Sequence, residues 1–477
     1  MRHFIQDLVP AFPEIVLLSM TAFSLLFAVY APPSKAKAYA DKCVYAGLLT
    51  AFFILCFMDV PEKGVFVGES SFILDGFSLY LKKIVLVGAF VCLMFATEWL
   101  RYKKYSRFEF APLLGFSVTG MMLTLSGKTF LMQFLGLEMI HFPLLFLTAY
   151  KRMGDRSTEA GTKYAVTVFL SSGLYLFGVS VIYACLGTLD FSKIATADKT
   201  QIMPALLWGL SFITAGLFIK IGVVPFHSWM ADIYEGAPSP VTALFVTIVR
   251  LGVIAALARI VWYPFAGLDF YLHPVLLATA LLSVCIGSFG AMVQDNIKRL
   301  TAYTAIVLNG FAMAALMSKN VALLLMNLSV DLVLTAGAAA ILLSLRLGDA
   351  LSEQIRVLAG QGRVKPVRGA LFSLIFLGLA GAPPFAGFWG RLALFKEMSV
   401  AGAPIIAALL MSAGLLIMYV YFSLIRQMYA VSAKEELSLA PSPMKAIIVF
   451  AAFISVFFFT FAEPLRIVWK SATLGGG

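Results

Sequence analysis

The sequence reads Lys220-Ile-Gly-Val-Val-Pro-Phe-His-Ser-Trp229 at the end of one long apolar run. A second apolar run contains Gly381-Ala-Pro-Pro-Phe-Ala-Gly-Phe-Trp-Gly-Arg391. Proline removes a backbone donor and clashes with the preceding helical turn, and glycine lets the chain leave the helical conformation. Both stretches therefore predict helices that are broken part-way along their length.

The composition around these stretches is that of a membrane protein. Of the 477 residues, 61% are hydrophobic and 13% are charged, whereas a soluble domain carries roughly 25% charged residues. The formal net charge of +11 would suggest nucleic acid as the partner of a soluble protein. Here the basic residues are scattered in short loops, which fits orientation in a membrane. We therefore expect a lipid bilayer, and no nucleic acid, as a partner.

Apolar runs long enough to cross a bilayer recur along the whole chain. A transmembrane helix needs about 20 predominantly apolar residues, and this rule predicts an all-α, polytopic membrane protein with about 14 spans. In chain order, the predicted spans are 10–30, 43–61, 77–98, 110–127, 129–149, 164–187, 204–226, 240–262, 272–293, 300–317, 319–345, 370–394, 403–425 and 445–463. The two interrupted stretches fall in spans seven and twelve.

The charges of the loops predict how these spans are oriented. Lysine and arginine are concentrated in the loops that follow odd-numbered spans, and basic loops stay on the cytoplasmic side of a membrane. A missed or invented helix would disturb this alternation. The pattern therefore predicts that both termini lie outside the cytoplasm.

The order of the broken spans predicts an internal repeat. Two Pro/Gly-interrupted spans, five apart, indicate an inverted-repeat transporter, in which spans 4–8 and 9–13 form two five-helix repeats. They are inverted because each contains an odd number of helices. Within one transmembrane domain, 1–477, we expect three N-terminal helices in 1–109, the repeats in 110–262 and 272–430, and a C-terminal helix in 445–477. Two ordinary proline kinks would produce the same sequence pattern.

Several charged residues fall inside the predicted spans. A charge in the bilayer core costs several kcal/mol on insertion scales and indicates an ion or proton path by default. The candidates for this path are Glu138, Lys220, Arg250, Arg391 and Lys396. Glu138 and Lys220 could instead form a structural ion pair, although a buried pair often adds little net stability.

Other polar residues of the spans have more than one interpretation. His141, one turn from the span-five glutamate, is either a relay or a satisfied core histidine. His227, at the cytoplasmic edge of span seven, is a further possible relay. Asp331 could pair with one of the span-twelve cations, Lys396 or Arg391, or line a water cavity. Arg259 lies near the outer end of span eight, where its side chain could extend to the interface.

A buried lysine beside a carboxylate has the chemistry of a proton switch. Low dielectric favours the neutral form of a lysine, and a nearby carboxylate favours the charged form. If Glu138 moves away or is neutralised, Lys220 releases its proton. Arginine cannot take this role, because it does not deprotonate in proteins.

The sequence contains no motif for a redox or metal centre. The five cysteines stand alone without a C-x-x-C pair, so they predict neither a disulfide framework nor a zinc or iron–sulfur site. No G-x-G-x-x-G loop follows a strand. We therefore expect no cofactor and no metal in this chain.

The first broken stretch, continued as Asp232-Ile-Tyr-Glu-Gly-Ala-Pro238, resembles the antiporter-like subunits of respiratory complex I. More narrowly, it is similar to the subunit N family of bacterial NADH:quinone oxidoreductase, the counterpart of mitochondrial subunit 2. Supporting matches are Leu74-Asp-Gly-Phe-Ser78, Gln294-Asp-Asn-Ile-Lys-Arg-Leu-Thr-Ala-Tyr303 and the Leu-Ala-Gly-Ala-Pro-Pro run of span twelve. Together the matches cover most of the chain from about residue 70 to residue 400.

The resemblance implies a proton-translocating function. In this family the span-five glutamate and the span-seven lysine form the switch, and these positions are Glu138 and Lys220 here. The family's lysines of spans eight and twelve are replaced by Arg250 and Arg391, so this sequence departs from the family's lysine pattern at two positions. Lys396 could replace the exit carrier, although five residues correspond to about 500° of helical turn.

The resemblance also implies that the chain is part of an enzyme, a translocating NADH:quinone oxidoreductase of the bacterial inner (plasma) membrane, with periplasmic termini. Flavin, iron–sulfur clusters and quinone would then reside in partner subunits, and sister antiporter-like membrane subunits would be its neighbours. The alternatives are a subunit of a related cation/proton antiporter or membrane-bound hydrogenase, a stand-alone secondary transporter, and a structural subunit whose channel is inactive.

Overall fold

The computed structural model describes residues 8–58, 65–67, 71–103, 107–151, 154–347, 350–432, 437–438 and 441–472. Over these residues the chain is predominantly helical. The loop charges predict that both ends of the chain lie in the periplasm. Residues 1–7 and 473–477, at these two ends, lie outside the described residues.

Helices lie at every predicted span. Within the described residues, 12 helices are long and apolar enough to cross a membrane, and two shorter apolar helices lie at the positions of spans four and twelve. In chain order the helices of the spans are Phe12–Tyr30, Pro33–Phe57, Gly76–Tyr102, Phe110–Ser126, Phe130–Thr148, Asp155–Leu186, Met203–Ile221, Ser239–Trp262, Asp269–Met292, Ile297–Met317, Val321–Ser344, Pro366–Ala380, Pro404–Ala430 and Ser442–Ser471. The prediction of an all-α membrane protein with about 14 spans is confirmed.

Polar side chains cap the first turn of several helices. At the start of span three, the Ser78 amide donates to the Asp75 carboxylate at 2.8 Å, and the Asp75 amide donates to Ser78 Oγ at 3.0 Å. At the start of spans five and eleven, the side chains of Thr129 and Asn320 each accept a hydrogen bond from one backbone N–H. These helices begin where a capping residue precedes an apolar run, because the cap satisfies an otherwise unpaired donor.

Spans seven and twelve are broken, as the sequence predicts. The half-helices are Met203–Ile221 and Ser228–Gly236 in span seven, and Pro366–Ala380 and Ala386–Val400 in span twelve. Each break begins with a glycine in the left-handed region, Gly222 at φ 75° and Gly381 at φ 69°. Glycine adopts this conformation without the steric cost of a Cβ, and the prolines that follow keep the helix from continuing.

The chain divides into two compact units. The first comprises Met1–Ile221, Ile248–Leu272 and Lys470–Gly477, and the second comprises Gly222–Thr247 and His273–Trp469. Two of the four boundaries along the chain fall in the break of span seven and within a five-residue π-helical segment of span eight, Phe245–Val249. The repeat boundaries indicated by the sequence, 110–262 and 272–430, stay a prediction.

Short elements connect the spans. Strand Val65–Val67 pairs antiparallel with Phe72–Leu74, and Arg346–Leu347 pairs antiparallel with Ala350–Leu351. The short connecting helices are Phe191–Thr196, Ile355–Leu358 and Gln361–Val364, and the single turn Val9–Ala11 leads directly into span one. The strands thus lie in the connections and leave the transmembrane part helical.

Candidate ion-translocation site

Glu138 of span five and Lys220 of span seven form an ion pair. Lys220 Nζ lies 3.2 Å from Glu138 Oε1, and the lysine side chain is 1% exposed while the glutamate side chain is 27% exposed. Ser172 of span six completes a triangle, because its hydroxyl donates to Glu138 Oε1 at 2.5 Å and accepts from Lys220 Nζ at 3.2 Å. One carboxylate oxygen therefore receives both an ammonium and a hydroxyl donor.

Small residues bring spans six and seven close enough for this contact. A Cβ on Gly216 would lie 2.8 Å from Ser171 O, so no larger residue fits without movement. Ser171 Oγ donates to Gly216 O at 2.8 Å. Close backbone approach at small residues is common between membrane helices. Since Lys220 follows Gly216 by one turn, this packing places it beside Ser172.

His141 lies on the same helix as Glu138 but makes a different contact. Its Nδ1 is 2.7 Å from the hydroxyl of Tyr164 in span six, and both side chains are buried. Its Nε2 is buried and has no hydrogen-bond partner among the described residues. One ring nitrogen of His141 is thus hydrogen-bonded, and the other can bind a water molecule or a proton.

Arg250 belongs to the first unit, together with Glu138 and Lys220. Its side chain is buried, and the residue directly follows the π-helical segment Phe245–Val249. Such segments are rare in helices and occur frequently at functional sites.

Arg391 is held by the broken end of its own span. Its guanidinium donates to the carbonyls of Leu379, at 2.8 Å, and Ala380, which end the first half-helix. Its Cζ also lies 4.6 Å from the centre of the Phe311 ring. A cation at a helix C-terminus is favourable, because the unpaired carbonyls carry partial negative charge. The break therefore creates the anionic environment that binds this arginine.

Asp331 and Arg391 line the same small cavity, together with Asn327. Its volume is about 10 Å³, close to the minimum for one water molecule. Asp331 is half-buried, whereas Lys396 is exposed. The two cations of the second half-helix thus have different surroundings, and of these two it is Arg391 that lines the cavity.

His227 lies between the two half-helices of span seven and is half-buried. A neutral imidazole can both accept and donate a proton, which is the chemistry that a relay requires.

The structure contains a buried ion pair that the sequence analysis missed. Glu14 of span one and Lys82 of span three are 2.5 Å apart, with side chains 3% and 0% exposed. Both lie inside predicted spans, so the rule that identified Glu138 and Lys220 also applies to them.

Arg259 does not extend to the interface, and that expectation was wrong. It is buried and donates to both oxygens of Asp75, at 2.9 and 3.1 Å, and to Leu125 O at 2.9 Å. A bidentate carboxylate partner keeps the guanidinium inside the protein.

Lys298 and Arg299 bind the second half-helix of span seven, and neither was a candidate from the sequence. Lys298 is fully buried, and its Nζ donates to Ala237 O at 2.9 Å and to Glu235 O at 3.2 Å. Arg299 pairs with Asp232 at 3.1 Å and with Glu235 at 2.9 Å. The acidic residues of the Asp232–Pro238 stretch therefore anchor this half-helix to the start of span ten.

Residues 127–417 match the family described as NADH:quinone oxidoreductase/Mrp antiporter, TM. Subunit N of NADH-quinone oxidoreductase from Rhodospirillum rubrum is 34% identical over 456 residues, which cover 94% of this chain and 93% of that protein. Subunit N from Parvibaculum lavamentivorans is 31% identical over 476 residues, which cover 98% and 97%. The chain belongs to the subunit N family of NADH-quinone oxidoreductase. The family resemblance seen in the sequence is therefore confirmed.

Solved membrane complexes contain chains with the fold of this chain. A chain of respiratory complex I from Thermus thermophilus with bound Aureothin has a TM-score of 0.83 at 26% identity, covering 97% of this chain and 100% of that chain. The archaeal membrane-bound sulfane sulfur reductase and the Mrp complex from Dietzia sp. DQ12-45-1b contain chains with TM-scores of 0.85 and 0.82, at 21% and 18% identity. These last two show a shared fold. All three are chains of larger membrane complexes.

Subunit N relatives are named as parts of an oxidoreductase. In this chain, the described residues contain no group of three or more His, Cys, Asp and Glu side chains that could hold a metal ion.

Proposed function

We propose that this chain translocates protons as the antiporter-like subunit N of an NADH:quinone oxidoreductase. The observation that carries the proposal is the buried contact of Lys220 Nζ with Glu138 Oε1 at 3.2 Å. A lysine in a span is costly unless it is paired, and a lysine, unlike an arginine, can release its proton.

In the proposed switch, Glu138 controls the protonation of Lys220. While the carboxylate is ionised and in contact, it stabilises the ammonium. When a proton neutralises the carboxylate, or when the side chain moves away, Lys220 retains Ser172 as a neutral partner and loses its counter-charge. The ammonium then releases its proton to water. The pair is reset when the carboxyl proton passes to the neutral amine, or when the ionised side chain returns and the amine takes up a proton from water.

The two arginines act as fixed positive charges in this proposal. Arg250 and Arg391 keep their protons, so they cannot pass one on. Water molecules carry the proton past the two arginines, and the positive charge of each arginine influences the route of the proton. His141 and His227 are possible relays, and Asp331 supplies a negative charge beside the cavity lined by Arg391.

The same proposal includes the neighbouring subunits and the membrane in which the chain lies. Its neighbours are sister antiporter-like subunits in a bacterial inner membrane, with both termini in the periplasm. Electron transfer takes place in partner subunits that carry flavin, iron–sulfur clusters and quinone, and the driving signal reaches this chain through the membrane part.

The test is proton pumping by the whole complex reconstituted in vesicles. Lys220→Ala should lower the number of protons translocated per NADH oxidised, and Glu138→Gln should do the same. The matched control is Lys163→Ala, whose side chain is 44% exposed in a pair with Glu159. Unchanged pumping in Lys220→Ala would refute the switch. A Glu138→Gln variant with unchanged pumping would instead support a structural subunit with an inactive channel.

A further inference from the structure

A groove on the second unit opens between the start of span twelve and the start of span fourteen. Its volume is about 500 Å³, within the range of about 300–1,000 Å³ that is usual for ligand sites. Its walls are mostly apolar and include Leu371, Phe372, Ile448 and Val449. Val449 is 51% exposed, so the groove opens on the outer wall of the helices.

Three cations lie along this groove, and the described residues that line it include no acid. They are Lys365, Arg368 and Lys445. Arg368 is fixed in place, because it donates to Leu437 O at 3.2 Å and to Ser438 O at 3.1 Å. Lys445 is exposed. An apolar groove with basic residues on one side is complementary to an amphiphile with a negative head.

The cations lie at one membrane face. Spans twelve and fourteen are both even-numbered, so both begin at the same face, and by the loop charges this is the basic one. Residues 365–368 and Lys445 stand at these two beginnings, and the apolar walls continue into the spans. The helix Pro366–Ala380 also directs its first backbone N–H groups toward this end, which favours a phosphate.

We propose that this groove binds an anionic diacyl phospholipid. The phosphate contacts the ammonium groups of Lys365 and Lys445, and an acyl chain lies along Leu371 and Ile448. Basic pockets between transmembrane helices on the cytoplasmic side are suited to anionic headgroups. This site is independent of the proton switch, because none of its residues belongs to the candidate path.

The test measures lipid binding to the full chain in detergent by native mass spectrometry. Phosphatidylglycerol is the anionic probe and phosphatidylcholine is the neutral one. The double variant Lys365→Gln, Lys445→Gln should bind phosphatidylglycerol about thirtyfold more weakly, since each lysine near an anionic headgroup contributes roughly a factor of five. Binding of phosphatidylcholine should change little.

Arg363→Gln is the matched control, because this exposed residue precedes the same helix and does not line the groove. A second variant, Val449→Trp, fills the groove without changing charge and should weaken binding of phosphatidylglycerol. If the double lysine variant binds phosphatidylglycerol as well as Arg363→Gln does, the proposal is overturned. Equal binding of both lipids to the unmodified chain, or unchanged phosphatidylglycerol binding in Val449→Trp, would also overturn it.

Discussion

Replacing Gly381 by alanine is expected to push the Arg391 guanidinium away from the end of the first half-helix of span twelve. A Cβ at residue 381 would lie 2.3 Å from Arg391 Nη1 and 2.4 Å from its Cζ. Contacts this short do not occur, so the flexible end of the arginine must move, and its hydrogen bonds to the carbonyls of Leu379 and Ala380 are the contacts that it can lose. The backbone is also strained, because φ at this position is 69°.

The size of the loss in stability follows from the backbone strain at residue 381 and from the hydrogen bonds that Arg391 loses. The left-handed conformation costs an L-residue about 1–2 kcal/mol. A hydrogen bond to a charged group contributes about 1.5–3 kcal/mol, and Arg391 donates one to each of two carbonyls. Full displacement of the guanidinium should therefore lower the free energy of unfolding by about 4–8 kcal/mol.

Denaturant titration of the purified chain in detergent, followed by circular dichroism, measures this loss. The matched control is Gly402→Ala, because Gly402 has a φ of 84° and a Cβ there would meet nothing within 4 Å. The control should lose only about 1–2 kcal/mol. Adding Arg391→Met to each alanine variant completes a double-mutant cycle. Equal losses in Gly381→Ala and Gly402→Ala, or no coupling with Arg391, would refute the reasoning.

Two other predictions concern charged groups. Lys298→Met should lower the free energy of unfolding by about 3–6 kcal/mol, since it removes the charged donor to the carbonyls of Glu235 and Ala237 and each such hydrogen bond contributes about 1.5–3 kcal/mol. A loss no larger than that of the exposed Lys193→Met would contradict this. Arg391→Lys should preserve or improve proton pumping per NADH oxidised, and complete loss would mean that the guanidinium geometry itself is required.

The spans and their breaks could be predicted because lipid imposes strict rules on the sequence. Every backbone group in the bilayer core must be paired, so long apolar runs form helices and prolines interrupt them. The π-helical segment Phe245–Val249 could not be predicted, since its residues are ordinary apolar ones and the segment depends on packing. The hairpin of Val65–Val67 with Phe72–Leu74 was also missed, because three-residue strands leave no periodic signal.

The charged members of the site could be predicted, but their partners could not. Glu138 and Lys220 stand out because charge is rare in spans. Ser172 carries no such signal, since serine is common in membrane helices and its role follows from the close packing at Gly216. The predicted direction of the Arg259 side chain, toward the membrane interface, was wrong for a similar reason. Its partner Asp75 is 184 residues away, and sequence position alone does not bring them together.

The contacts of Arg391 and Lys220 suggest different chemical roles for them. Arg391 donates to two carbonyls that the break of span twelve leaves unpaired, so its positive charge has a local structural reason that requires no proton exchange. Lys220 instead contacts one carboxylate and one hydroxyl, and its charge depends on whether Glu138 is ionised. If the proposed function holds, the step that exchanges protons is therefore concentrated at Lys220. Substituting Lys220 should then reduce pumping far more than Arg391→Lys does, and comparable losses in both variants would indicate that the span-twelve position takes part in proton transfer as well.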